Sequence, residues 1–144
     1  MRILLAVALS LPAAAIAGKG AGPACQPVVE RGWVRMAPGM PMAAGFAVLR
    51  NPCRAEAAIV GASSPAFADV SLHETRVEGG VSRMRAVPRI ALPAGGTVEL
   101  RPGGLHAMLM APRADATPKS VRIEFVLADG RRVAADLPVR ATAP

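Results

Sequence analysis

From Val28 onward, apolar residues recur at every second position in short runs, and Pro, Gly, Asn and Asp break the runs apart. Alternation of period two sends successive side chains to opposite faces of an extended chain, so each run reads as a strand with one buried face. The runs are 29–36, 45–50, 57–61, 70–77, 81–87, 97–101, 105–110, 121–128 and 132–139. Helical periodicity is absent. The last two runs make the clearest pair. Val121, Ile123, Phe125 and Leu127 alternate on the way out and Val133, Ala135, Leu137 and Val139 on the return, while Asp129-Gly130 predicts a type I′ turn between them. Short strands punctuated in this way predict a single all-β domain, a sandwich or a barrel.

The first residues follow another pattern. Arg2 precedes an apolar run over 3–16, and Ala15-Ile16-Ala17 is a small-x-small cleavage sequence, so 1–17 reads as a secretory signal peptide. The run is too short to span a bilayer, which takes about 20 apolar residues. The remainder, 18–144, suits one domain with one core, exported and without stable membrane insertion. A lipid anchor on Cys25 is the alternative, but Gly22-Pro23-Ala24 before it lacks the Leu-Ala-Gly type of sequence that lipidation sites carry. An even pair of cysteines in an exported chain predicts a Cys25–Cys53 disulfide in preference to a thiolate metal pair.

Charge narrows the choice of partners. The formal net charge is +7 and the isoelectric point about 11.2. Nucleic acid is nevertheless a poor match, because an exported chain rarely meets it and this one offers no Tyr, one Trp and three Phe for stacking on bases. The arginines are spread through the strands. They suit a solvated basic face that steers the protein toward an acidic partner or an anionic surface.

Both histidines fall in one spaced set, His73, Met84, His106 and Met108. Two imidazoles with two thioethers match a soft monovalent cation, Cu(I), far better than magnesium, calcium or manganese. In the run 105–110, Leu105, Ala107 and Leu109 share one face and His106, Met108 and Met110 the other. Around His73 the same alternation opposes Val70 and Leu72 to Ser71 and His73, and it sends Glu74 to the face away from His73. Met84 alternates with Arg83 and Arg85, so its thioether can turn to the site while the arginines stay wet. Met110 is an auxiliary thioether or gate. Met36, Met40 and Met42 form a further cluster in a Pro/Gly-rich loop, read as packing or docking in preference to a transient copper site. Taken singly, a Met in a β-protein is gap-filling core and a His a structural residue. Their joint spacing carries the metal reading.

The spacing His-x10-Met-x21-His-x-Met resembles the signature of the periplasmic copper chaperones of the PCu(A)C family. The resemblance extends to Trp33-x-Arg35, Ala44-Gly45-Phe46, Asn51, Ser71-Leu72-His73-Glu74 and the stretch from Pro102 to Met110. It implies a cupredoxin-like Greek-key β-sandwich that binds Cu(I) in the periplasm. It further implies delivery to apo-proteins such as cytochrome c oxidase subunit II or Sco-type thioredoxin-fold proteins during assembly of the oxidase copper centres. The chain lacks the Met- and His-rich C-terminal tail of some relatives, so a second, Cu(II)-type site is not expected. An electron-transfer or oxidase role is disfavoured, because blue-copper centres need a Cys thiolate beside two His and both cysteines lie outside the signature. Periplasmic copper buffering or resistance, or a metal-free structural sandwich, are the remaining alternatives.

Overall fold

The computed structural model describes residues 24–144; the signal segment expected over 1–17 lies outside them. Ten strands follow one another: β1 (Val28–Arg35), β2 (Met42–Arg50), β3 (Ala57–Ser63), β4 (Phe67–Glu78), β5 (Val81–Ala86), β6 (Ile90–Leu92), β7 (Thr97–Leu100), β8 (Leu105–Pro112), β9 (Ser120–Leu127) and β10 (Arg132–Arg140). No described residue is helical. One sheet runs β5-β4-β8-β2-β1, with β7 continuing the β8 side of β2, and the other runs β10-β9-β3-β6. The sheets are joined where β10 pairs parallel with β1, Val34 beside Val139 and Arg35 beside Arg140. All other pairings are antiparallel.

The inward residues of the two sheets make one core. Leu49, Leu109 and Ala107 from the first sheet meet Ile59, Leu92, Ile123, Phe125 and Leu127 from the second, all essentially without exposure. The layers approach closely at Gly45, where an added Cβ would stand 2.7 Å from Ile123 Cδ1. Asn51, fully buried, ties down the turn after β2. Its side-chain NH2 donates to the carbonyls of Ala55 and Leu92 and its Oδ1 accepts from the Cys53 N–H. Beside it the Cys25–Cys53 disulfide, with Cα atoms 5.7 Å apart, fastens the segment before β1 to the body.

Two local expectations change. The β9–β10 turn is not type I′, which needs positive φ at both central residues. Gly130 alone has it, at 87°, and the Gly130 N–H donates to the Leu127 carbonyl while the Leu127 N–H donates to Arg131. This is a three-residue loop, a type I turn closed by a left-handed glycine. β6 is an additional strand, three residues long, that shields the edge of β3 with Ile90 and Leu92 buried.

Candidate metal centre

The outward face of β4, β5 and β8 collects the four spaced donors. On β8, Ala107 and Leu109 turn into the core and leave His106 and Met108 on the opposite side. The β4–β8 register sets His73 directly across from His106 and Ser71 across from Met108, so Met108 is the diagonal neighbour of His73. Directly opposed residues in an antiparallel pair share a face, which puts these side chains together. The two imidazole rings stack with centroids 6.0 Å apart and planes at 27°. Met84, across from Thr75 on β5, is two strands from β8. Its side chain crosses β4, and Sδ stands 3.3 Å from His106 Nε2. His106 is 7% exposed and Met84 50% exposed, so the cluster opens to solvent on the Met84 side. Arg83 and Arg85 flank Met84 and are exposed, the latter within ion-pair reach of Glu74.

Hydrogen bonds fix which nitrogens face the gap. His106 Nδ1 lies 3.0 Å from the Gly104 carbonyl, which can only accept, so Nδ1 carries the proton. In the neutral ring Nε2 then holds a lone pair aimed at the lone pairs of the Met84 sulfur. Two donors facing each other with no hydrogen between them are a ready place for a cation. A backbone carbonyl holding the far nitrogen is also the usual support for a metal-binding imidazole. His73 Nε2 is 2.9 Å from Ser71 Oγ, and its Nδ1 is buried with no hydrogen-bond partner. Buried nitrogen of this kind is costly unless something else satisfies it. Burial, and then the nearby His106, lower the His73 pKa from 6.5, while Asp69 opposes the shift. The ring therefore stays neutral, and able to ligate, to lower pH than a free imidazole. Among the described residues no group of three or more His, Cys, Asp or Glu is placed to hold a metal ion.

A cleft of about 390 Å³ adjoins the cluster, lined by His106, Met84 and Met108 with Met40, Met42 and Arg35 among its other walls. Phe46 backs it, its ring 6.5 Å from His106 and 4.8 Å from Trp33, with the Arg35 guanidinium 5.4 Å from the Phe46 centroid. The sequence-level Met cluster thus divides. Met36 belongs to the core, whereas Met40 and Met42 are exposed at the cleft. Ser71 and Gly104 have roles that residue type does not announce. Strand parity alone reaches Ser71, which shares the His73 face, but the use of a backbone carbonyl leaves no trace in residue identity.

The all-β sandwich that gathers these side chains on one outer face has the fold of PCu(A)C domains. The chain belongs to the LpqE-like family of putative lipoproteins, a PCu(A)C family, whose profile matches residues 28–139. The family is one of copper chaperones. It is 37% identical over 116 residues to the putative lipoprotein Lxx21020 of Leifsonia xyli subsp. xyli (strain CTCB07), covering 78% of this chain and 68% of that one. The fold matches the copper-bound PCuAC domain from PmoF2 with a TM-score of 0.65 at 22% identity, over 83% of this chain and 97% of that domain. It also matches DR1885 of Deinococcus radiodurans, apo (TM-score 0.61, 28% identity, 99% of this chain and 95% of that one). The CuI form of DR1885 matches with a TM-score of 0.60 at 29% identity, over 91% and 87%.

Proposed function

We propose that the protein binds one Cu(I) through His73, Met84, His106 and Met108 and carries it, in the periplasm, to copper-requiring apo-proteins. The observation that carries this reading is the approach of His106 Nε2 to Met84 Sδ at 3.3 Å, with the Nδ1 proton committed to Gly104. Four neutral, soft donors favour the cuprous state. Thioethers also remain ligands in an oxidising compartment, where free thiols are lost to disulfides. Both cysteines are already joined to each other, which argues against a copper–thiolate centre. The same bond speaks for a freely diffusing exported protein, since a lipidated Cys25 would have no thiol left for Cys53.

Exposure of Met84 supports a carrier over a store. An acceptor's cysteine or histidine can approach from the Met84 side and take up the metal as the thioether leaves, while His106 stays anchored to Gly104. Copper centres of cytochrome c oxidase subunit II, reached directly or through a Sco-type protein, fit as acceptors, because their thiolate and imidazole ligands outcompete thioethers. The test is anaerobic transfer of Cu(I) from the loaded protein to purified apo-subunit II and to an apo-Sco-type protein, followed by metal analysis after separation. Copper should move to at least one of them. Full retention against both would instead make the protein a copper buffer.

A further inference from the structure

The face that carries His73 and His106 continues past them into thioethers that the four-donor centre does not use. Met42 on β2 lies directly across from Met110 on β8, and Met110 directly across from Asp69 on β4. In the next row Ala44, Met108 and Ser71 line up in the same way, and His106 and His73 form the row after that. Opposed Cβ atoms in such rows are about 5 Å apart. Successive rows are about 7 Å apart, two residues along a strand. Met40 stands in the loop just before β2, where its N–H donates to Ala37 and the Pro41 carbonyl accepts from Ala111 at the far end of β8. Met40 and Met42 are 46% and 38% exposed, and both line the cleft that Met84, His106 and Met108 also line.

We propose that Met40, Met42 and Met110 form a second, weaker site for a soft monovalent cation, Cu(I) or Ag(I), one row beyond Met108. The inference extends the reading of His73, Met84, His106 and Met108 as a Cu(I) centre. Three neutral sulfurs match such a cation and reject hard ones. The Asp69 carboxylate stands in the same row, where Arg113 lines the same surface pocket and offsets its charge. Arg35 is the opposing charge in the cleft, and its guanidinium is drawn over the Phe46 ring. The absence of imidazole makes this site the weaker of the two. Met108, between the rows, then serves both, and an arriving ion moves inward by exchanging one thioether for the next until the histidines hold it.

The test is a titration of the protein, labelled with 13C in its methionine methyl groups, with Ag(I) alone, followed by methyl NMR. The first equivalent should shift Met84 and Met108 and the second Met40, Met42 and Met110. Met36, buried in the core, should not move and is the internal control. A Met42→Leu/Met110→Leu variant, which nearly conserves side-chain volume, should lose the second equivalent and keep the first. If Met40, Met42 and Met110 stay still while Met84 and Met108 respond, the second site is overturned and the first stands. Retention of two equivalents by the double Leu variant also overturns it. If Met40, Met42 and Met110 respond while Met84 does not, the second site stands and the four-donor reading fails. If none responds, both fail.

Discussion

His106 is anchored to Gly104 and the thioethers lie on the outer face, so substitutions of the thioethers separate binding from folding. Met84 is half exposed and Met108 lies on the outer face, and Met→Leu swaps of similar volume cost under about 1.5 kcal/mol. Met84→Leu/Met108→Leu should therefore melt close to the wild type. Loss of merely supporting groups around a metal costs 10–100-fold in affinity, so losing two donors should weaken Cu(I) binding by roughly 100-fold or more. Competition with a Cu(I) chelator measures this, and unchanged affinity at neutral pH would remove the thioethers from the ligand set. His73 supplies the pH signature. Its pKa is lowered from 6.5 by burial and by His106. In the metal-free protein its NMR titration midpoint should therefore fall below 6.5. Between that midpoint and 6.5 the unfolded chain binds the proton more readily than the native one. The His73 contribution to stability is thus intact above 6.5 and declines as pH falls through this window. A midpoint at or above 6.5 would mean that the ring is not desolvated as described.

Strands decide whether those residues meet. Gly32 on β1 has no room for a side chain: a Cβ there would lie 2.6 Å from the Phe46 carbonyl oxygen and 3.1 Å from the Ala47 Cβ. Backbone cannot yield as a flexible side chain can. Gly32→Ala should destabilise the fold by about 1–3 kcal/mol, read as a lowered urea midpoint, and should disturb Phe46, which backs His106. Alternation made most strands legible, because one buried face imposes period two whatever the topology. β6 escaped because three residues after Pro88 are too few to show a period. The β9–β10 turn is not legible in the sequence, because Asp-Gly fits two hairpin geometries and only φ at Asp129 separates them. Around the metal centre, parity reaches His106, Met108 and Ser71. The passage of Met84 across β4 depends on a side-chain conformation and on strand order, neither of which is encoded locally.

At the scale of the whole molecule, the disulfide and the candidate metal centre are separate devices. Cys25–Cys53 closes a separation of 28 residues near the β2–β3 turn, whereas the donors occupy β4, β5 and β8. Replacing both cysteines with Ser should cost about 2–4 kcal/mol in denaturant unfolding while leaving Cu(I) affinity unchanged. Alkylation of the native, unreduced protein should label neither sulfur. A parallel loss of copper binding would show that the tether shapes the site.

The parallel pairing of β1 with β10 has a consequence for how the protein is made. Val34 finds Val139, and Met36 donates to Arg140, only after nearly the entire polypeptide is available. Contacts so distant in sequence form slowly, because a long loop must close before they return any free energy. A nascent chain whose final strand is not yet made lacks the closing pair and cannot seal the sandwich. The order of strands thus leaves the two sheets unjoined until the last segment of the polypeptide has been made.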